Sequence, residues 1–191
     1  MCIYLSALKC CLKRNAHSNV HVSICVPNWS QPRNVAGLIR TASILGFDVY
    51  IGPSKGYERL IAKDRDMINH CVMGANNYTV VNSWKDFFMN TQAEIIIMES
   101  PEFWKERNQE ANSIYTITPN TCCMLVFGDE GEGILPHTLE AVGVYMPCYI
   151  PQYNDTIKNP RKHRHRNNVS FNLNSAATLA MGILIARGMT G

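Results

Sequence analysis

Short apolar runs alternate with segments of helical periodicity along the chain. Most of these runs are continuous, which is typical of strands that are covered on both faces of a parallel sheet. The polar segment 101–119 is assigned to a short helix and a loop. The pattern therefore predicts an α/β fold, a mostly parallel sheet with helices on both faces. The predicted strands are 20–26, 48–52, 78–81, 93–99, 122–128 and 144–150, and the predicted helices are 34–46, 64–74, 83–90, 136–142 and 175–188.

The first predicted helix lacks the charged outer face that a surface helix normally has. Pro32 and Asn34 are interpreted as its start and cap, and Gly46 as its end. Arg40 projects away from the inward face, among small or apolar neighbours, so we expect a second subunit or a ligand to approach that side. The inward face consists of Val35, Leu38, Ile39, Ala42 and Leu45, and the outer neighbours of Arg40 are Ala36, Gly37, Ser43 and Ile44.

The last predicted helix is apolar on every side. Between Ala176 and Ala186 it carries no charged residue, and a helix without a polar face has to be buried all round. The sheet accounts for only one side of it. A homodimer contact, or an overlying basic loop, is expected to cover the other.

The length and the charge distribution indicate one domain with a basic segment. A chain of 191 residues with 46% hydrophobic residues can bury the core of one domain, assigned to 20–191, with 1–19 as an N-terminal extension. Segment 153–169 holds five Lys and Arg residues against one Asp. Its charge of +4 exceeds the net charge of +3 and leaves −1 for the rest.

Cellular placement is predicted from the cysteines, the apolar runs and the N-terminus. Eight cysteines with two adjacent pairs and no CxxC favour reduced, buried thiols in a cytoplasmic protein. The longest apolar stretch is about half of a membrane span, so no membrane association is expected. Lys9, Lys13 and Arg14 precede the first acidic residue, Asp48, which keeps organellar import as an alternative.

The segment "VFGDEGEGI", residues 126–134, places three glycines and three carboxylates directly after a predicted strand. A glycine-rich turn in that position usually offers its N–H groups to a phosphate. Asp129, Glu130 and Glu132 would repel a phosphate. The loop therefore suits a ligand that is cationic or rich in hydroxyls and amines.

Three segments, taken in order, resemble the motifs of the SpoU/TrmH branch of the SPOUT methyltransferases. They are "NVAGLIRTASILGFD" (34–48), "LVFGDEGEGI" (125–134), and a third motif split into "YIPQ" (149–152) and "SFNLNSAA" (170–177). The resemblance covers about residues 20–188. It implies a C-terminal trefoil knot, S-adenosylmethionine as methyl donor, a ribose 2′-hydroxyl of tRNA or rRNA as acceptor, no metal, and a homodimer that completes the site.

The resemblance also implies roles for individual residues. Glu130 would orient Arg40 or its partner, while Ser170 and Asn172 would shape the cleft. The donor carries a sulfonium and an amine and no phosphate, which would make an acidic loop acceptable. The implied cofactor-binding residues are Gly128, Glu130, Gly131, Ile150, Gln152, Phe171 and Leu173, and the implied catalytic residues are Asn34, Arg40, Glu130, Ser170 and Asn172.

Arg40 matches the arginine to which the family's activation of the hydroxyl has been assigned. A guanidinium with a pKa above about 12 is a poor general base. We interpret Arg40 instead as a forked clamp on the adjacent phosphate, which positions the ribose and stabilises developing oxyanion charge.

The sequence departs from the family pattern at segment 153–169, which is longer than the usual connection. It is interpreted either as a solvated loop or as an RNA-contacting arm. A zinc site at His163 and His165 lacks partner ligands at metal spacing, so no metal is predicted. The implied RNA-binding residues are Arg40, Lys158, Arg161, Lys162, Arg164 and Arg166.

The sequence supports one leading function and one alternative. The leading hypothesis is an RNA 2′-O-ribose methyltransferase. The alternative is a noncatalytic RNA-binding protein that retains the knotted fold. A nucleotide-phosphate enzyme is disfavoured because neither GxxxxGK[ST] nor GxGxxG follows a strand. Because no separate RNA-binding domain is recognised, substrate selection is expected from the basic segment, the termini or an accessory protein.

Overall fold

Within the residues that the structure describes, seven parallel strands form a single sheet. The computed structural model describes residues 20–53, 77–119, 122–129, 131–151, 171–189 and 191. The predicted parallel α/β sheet is confirmed. The strands are β1 (His21–Val26), β2 (Asp48–Ile51), β3 (Tyr78–Val80), β4 (Glu94–Met98), β5 (Asn112–Ser113), β6 (Cys122–Phe127) and β7 (Met146–Tyr149). Their order in the sheet is β3-β2-β1-β6-β4-β7-β5.

The helices of the described residues follow the predicted periodicity closely. The helix predicted at 64–74 lies outside the described residues. The short helix expected after Pro101 is confirmed, whereas β5 was not predicted. The helices are α1 (Pro32–Leu45), α2 (Trp84–Met89), α3 (Pro101–Glu106), α4 (Pro136–Val142) and α5 (Leu173–Ala186).

Helix α1 begins and ends at residues with fixed backbone preferences. It begins at Pro32, whose missing N–H would be unpaired in the first turn anyway. The residue before it, Gln31, makes no side-chain cap, so the prediction that Asn34 caps the helix is wrong: Asn34 lies in the first turn. Gly46 ends the helix with φ of 82° and donates its N–H to Ala42 O, which confirms the predicted end.

One side of α1 packs on the sheet and an adjacent side packs on α5. Leu45, predicted to face inward, is instead 37% exposed, whereas the other four residues of the predicted inward face are buried. Ala36 and Gly37 were predicted to lie on the outer face of α1, where a second subunit or a ligand would approach. Ala36 is buried, and a Cβ on Gly37 would lie 2.9 Å from Asn174 Nδ2 of α5. Helix α5 of the same chain therefore covers part of that surface.

Two apolar clusters lie on opposite faces of the sheet, because successive strand side chains point to opposite sides. In β1, Ile24 belongs to the cluster that also contains residues of α1 and α5. Cys25 belongs to the second cluster, which contains Trp104 of α3 and Phe88 of α2. The predicted placement of helices on both faces is confirmed.

Side-chain hydrogen bonds to main-chain carbonyls fix α3 and the end of α5. The indole Nε1 of Trp104 donates to Cys148 O at 3.0 Å. Arg187, just after α5, donates from Nη1 to Ile114 O at 2.9 Å and from Nη2 to Ile117 O at 2.6 Å. The C-terminal end of α5 is thereby tied to the connection between β5 and β6.

The four cysteines of the described strands are free and buried, in agreement with the prediction of reduced thiols. Burial raises the pKa of Cys25 well above its usual value, and it raises the pKa of Cys123 and of Cys148 to about 12. These thiols stay protonated at neutral pH and are poor nucleophiles. None of the described helices has the length and hydropathy needed to cross a membrane.

Candidate active site

The four central strands end at one edge of the sheet and bring polar loops together there. Strands β1, β6, β4 and β7 are consecutive neighbours, and all run in the same direction. Asn28, Gly128, Glu99 and Ile150 follow these strands within one or two residues. Three strand spacings separate the first from the last, about 14 Å. Ligands of open parallel sheets bind at this edge.

The loop from Gly128 to Ile134 closes on itself through main-chain hydrogen bonds. Gly133 N donates to Asp129 O at 2.8 Å, and Asp129 N donates to Gly133 O at 3.3 Å. The turn between them contains Gly131, whose N–H donates to Asp129 Oδ1 at 2.7 Å. Gly133 has φ of 67°, in the left-handed region that favours glycine. The loop is therefore a compact turn held by its own backbone.

The carboxylate of Asp129 accepts hydrogen bonds from groups within the protein. It is 7% exposed, and its Oδ2 accepts a hydrogen bond of 2.6 Å from Ser30 N. Burial alone would raise the pKa of Asp129, but hydrogen bonds from the Ser30 side chain and from nearby main-chain N–H groups outweigh it and hold the pKa below its usual value. This carboxylate ties the glycine-rich loop to the β1–α1 connection and is not available to a ligand. Glu132, by contrast, is exposed.

Replacing Asp129 by asparagine is expected to lower the free energy of unfolding at pH 7 by about 2 kcal/mol, because Ser30 N and Gly131 N both lose a charged acceptor and the amide leaves a single oxygen for the two of them. The pKa of Asp129 is lower in the folded than in the unfolded state, so its carboxylate stabilises the fold above the unfolded pKa of about 3.9. This stabilisation is lost as the pH falls through the folded pKa. Urea unfolding should therefore show a difference between Asp129→Asn and the unaltered protein that shrinks below about pH 4.

Glu132→Gln is the matched control for this pH dependence. It removes a carboxylate from an exposed position of the same loop and should change the free energy of unfolding by less than about 0.5 kcal/mol. A stability difference for Asp129→Asn that stays constant from pH 7 to pH 3 would contradict the assigned role.

Two further side chains hold the far end of the loop. Asn28 Nδ2 donates to Gly133 O at 3.2 Å, and Glu99 Oε1 accepts from Ile134 N at 2.6 Å. Sequence reasoning missed Asn28, Ser30 and Glu99. For Asn28 and Glu99 the available signal was their position within two residues of the end of an apolar strand, where a polar side chain lies at the ligand-binding edge.

The residues of the third motif surround the start of α5. Asn172 caps this helix, since its Oδ1 accepts from Ser175 N at 2.9 Å. Asn172 is an exposed residue, so its side-chain amide N–H₂ group is accessible to solvent. Leu173 is buried at 3% exposure, Phe171 is 44% exposed, and Ile150 packs partly against the core. Asn172 therefore has a structural role at the helix start in addition to the role that the resemblance implies.

The structure brings together only part of the predicted site. Gly128, Gly131 and Ile150 lie at the same sheet edge, and the starts of α1 and α5 meet through Gly37 and Asn174. Glu130, Gln152, Ser170 and segment 153–169 with its five basic residues lie outside the described residues.

Arg40 is separated from that edge within its own chain. It lies eight residues after Pro32, about 12 Å along the helix axis. Its side chain is exposed and forms no hydrogen bond or ion pair with the residues that the structure describes. The described part of a single chain does not bring Arg40 into contact with the glycine-rich loop.

The motifs at this edge have a family counterpart. The sequence model described as the SpoU rRNA methylase family matches residues 21–157, which include the first two motifs and the strands that carry them. The chain belongs to the SpoU rRNA methylase family. The predicted resemblance is confirmed.

Solved structures share the fold of this SpoU-family chain at low sequence identity. An AdoMet-bound rRNA methyltransferase from Sinorhizobium meliloti is 15% identical with a TM-score of 0.63, over 92% of this chain and 60% of that one. A structure on the 2-OH methylation of C/U34 on tRNA is 18% identical with a TM-score of 0.62, over 90% and 97%. The SpoU methyltransferase AviRb from Streptomyces viridochromogenes, with AdoMet, is 14% identical with a TM-score of 0.57, over 91% and 59%.

The likeness of the SpoU-family chain to these three structures is a likeness of fold. Identities of 14 to 18% establish a shared architecture and leave the substrates open. The chain spans about three fifths of the length of the Sinorhizobium and Streptomyces proteins and nearly all of the third. Comparison with curated protein sequences gives no significant match. Within the described segments, no group of three His, Cys, Asp or Glu residues could hold a metal ion.

Proposed function

We propose that this protein transfers a methyl group from S-adenosylmethionine to a ribose 2′-hydroxyl of tRNA or rRNA. The observation that carries the proposal is the Gly128–Ile134 loop, which stands at the carboxyl edge in the position of a SpoU motif and is tied to β1 and β4. Family membership supports S-adenosylmethionine as the methyl donor. Relatives of the same fold include AdoMet-bound structures.

The edge of the sheet fits such a donor. A Cβ on Gly128 would lie 2.7 Å from Glu99 Oε1 and would also collide with main-chain atoms of Gly133 and Ile134, so only a glycine lets the loop pack this closely at the sheet edge. The motif resemblance implies that the backbones of Gly128, Ile150 and Phe171 would hold the adenosyl group. The methyl donor carries a sulfonium and an amine and no phosphate, so the exposed carboxylate of Glu132 need not repel it.

The reaction requires positioning and charge stabilisation from the protein. S-adenosylmethionine supplies an electrophilic methyl group on its sulfonium sulfur. The ribose 2′-oxygen forms the new bond to the methyl carbon, the carbon–sulfur bond breaks with its electron pair going to sulfur, and the hydroxyl proton passes to an acceptor or to water. Arg40 serves as the forked clamp on the neighbouring phosphate and stabilises negative charge that develops on the 2′-oxygen.

A homodimer would bring Arg40 of one chain to the glycine-rich loop of another. Support comes from the exposed apolar side chains on α1 and α5: Ile44 is 74% exposed, Leu179 38% and Ile185 39%. The second side of α5, which was expected to be covered, is thus exposed in the single chain. The trefoil knot belongs to the same proposal, and the segment 152–170 that would form it lies outside the described residues.

RNA recognition is proposed for segment 153–169, with Arg40 at the reacting nucleotide. The five basic residues of segment 153–169 can neutralise phosphates, which would make the RNA affinity fall steeply as the salt concentration rises. A relative of full-length coverage concerns methylation of tRNA, which favours tRNA as the first substrate to test. An accessory protein would be needed if this segment cannot select the RNA alone.

The direct test is methyl transfer to RNA. The protein is incubated with radiolabelled S-adenosylmethionine and, separately, with tRNA, rRNA and total RNA, and the RNA is digested to nucleosides. The expected product is a labelled 2′-O-methylnucleoside. Its absence with every RNA class, together with no calorimetric binding of S-adenosylmethionine, would overturn the proposal. RNA binding without cofactor binding would identify the noncatalytic alternative.

A further inference from the structure

The peptide bond between Gly133 and Ile134 is held at both of its polar atoms by side chains from two different strand ends. Its carbonyl oxygen accepts from Asn28 Nδ2, after β1, at 3.2 Å. Its N–H donates to Glu99 Oε1, after β4, at 2.6 Å. A distance of 2.6 Å to a carboxylate is that of a short, charge-assisted hydrogen bond. This peptide is the exit of the glycine-rich loop.

Glu99 is itself rigidly placed. Its own N–H donates to Cys148 O of β7 at 3.1 Å, and its Oε2 accepts from Ser100 N at 3.4 Å. The carboxylate is therefore fixed between β7 and the glycine-rich loop. It is half-buried, so water competes with it less than with an exposed group.

The glycines of the loop leave room for this carboxylate. A Cβ on Gly128 would lie 2.7 Å from Glu99 Oε1, and a Cβ on Gly133 would lie 2.8 Å from the same atom. Two glycines at opposite ends of the turn thus share one neighbour. The turn and Glu99 form one packed unit, in which the carboxylate occupies the space that side chains would fill.

We propose that Glu99 is a positioning residue for the methyl donor: by accepting the Ile134 N–H, it holds the Gly128–Ile134 loop in the conformation that binds the cofactor. This inference rests on the proposed function. Glu99 lies outside the three family motifs and outside the set of residues that they imply. Asn28 acts on the same peptide from the other side.

Loss of the Glu99 acceptor should lower the fraction of protein molecules whose loop is in the binding conformation. A loop without the Glu99 acceptor has an unpaired N–H at Ile134 and exchanges among several conformations. The apparent Kd rises as the inverse of the competent fraction, so a loop that is correctly placed one tenth of the time binds about tenfold more weakly. Because the loop is positioned before the ligand arrives, S-adenosylmethionine and S-adenosylhomocysteine should be affected equally.

Two conservative variants separate the effect of the distance of the acceptor oxygen at position 99 from the effect of its charge. Glu99→Gln keeps an oxygen at the same reach and removes the charge, and it should keep both Kd values within about threefold. Glu99→Asp keeps the charge but withdraws the oxygen by about one bond, 1.5 Å, and should weaken both ligands about tenfold. Glu99→Ala should behave like Glu99→Asp. Calorimetry on the full chain with each ligand gives these values, and the KM for S-adenosylmethionine should rise while the KM for RNA stays constant.

Glu94→Gln is the matched control, since Glu94 lies at the amino end of the same strand, about 16 Å away. It should leave both Kd values unchanged. Unaltered affinity in Glu99→Asp, equal weakening in Glu99→Gln and Glu99→Asp, or a loss confined to the cationic ligand would each overturn the positioning role. Failure of the unaltered protein to bind either ligand would instead overturn the proposed function. If Glu99→Ala unfolds below the assay temperature, the comparison of Glu99→Gln with Glu99→Asp decides the outcome.

Discussion

Replacing Arg40 by alanine is expected to lower kcat for RNA methylation by about 100- to 1000-fold, the size of effect seen when a group that stabilises transition-state charge is removed. The Kd for S-adenosylmethionine should change less than about twofold, because the side chain makes no hydrogen bond or ion pair with the described residues. For the same reason the free energy of unfolding should stay within about 0.5 kcal/mol. Single-turnover methylation measures the rate of methyl transfer, and calorimetry measures the Kd for S-adenosylmethionine.

Arg33 provides a control on the same helix. It is exposed and lies seven residues before Arg40, about two turns, so it projects to nearly the same side of α1. Arg33→Ala removes the same charge and should keep kcat within about threefold. Arg40→Lys keeps the charge without the fork and should fall between the unaltered protein and Arg40→Ala. Full activity in Arg40→Ala would remove this residue from the mechanism.

Element positions could be predicted where one physical signal dominates. Strands β1, β4 and β6 are buried on both faces, so their apolar runs are continuous, and β6 is recognisable from its composition alone. The end of α1 follows from Gly46. The sequence pattern missed two details of the element bounds. Asn34 does not cap α1, because Pro32 already sets the start, and β5 has no apolar pattern since pairing with β7 alone makes it a strand.

The candidate site could be predicted from the sequence, but the hydrogen bonds within it could not. The glycine-rich loop is visible as a motif, whereas the fate of each carboxylate depends on which main-chain N–H groups the fold places beside it. Asp129 binds Ser30 N, from a connection 99 positions away, and Glu99 binds Ile134 N, 35 positions away. No local pattern encodes such pairs. Sequence reasoning therefore grouped Asp129 with ligand-facing acids, although it is an internal anchor.

Replacing Gly128 by alanine should abolish cofactor binding, with a rise in Kd of at least about 100-fold. The new Cβ would collide with main-chain atoms of Gly133 and Ile134, which cannot rotate away as a side chain could, and would approach Glu99 Oε1 to 2.7 Å. Overpacking of this kind costs about 1 to 3 kcal/mol in fold stability. The loop can relieve the collision only by opening, which removes the binding conformation.

Gly182 of α5 is the control position for Gly128, because alanine should be tolerated there. A Cβ there would meet no atom within 4 Å, and alanine is a better helix former than glycine by about 1 kcal/mol. Gly182→Ala should therefore be at least as stable as the unaltered protein and should keep cofactor binding as a dimer, which light scattering verifies because Gly182 lies three residues from both Leu179 and Ile185 of the proposed dimer face. Calorimetry and urea unfolding of both variants make the comparison. Cofactor affinity in Gly128→Ala equal to that in Gly182→Ala would show that the loop is not the binding element.

The Arg40 and Gly128 variants together test whether one site is built from two chains. If Arg40 of one subunit serves the loop of its partner, a dimer of one Arg40→Ala chain and one Gly128→Ala chain contains one intact site and one doubly defective site. Random exchange of subunits makes half of the dimers mixed, so the mixture should recover about a quarter of the unaltered activity. If each chain used its own Arg40, no mixed dimer would contain an intact site, and the mixture would stay inactive.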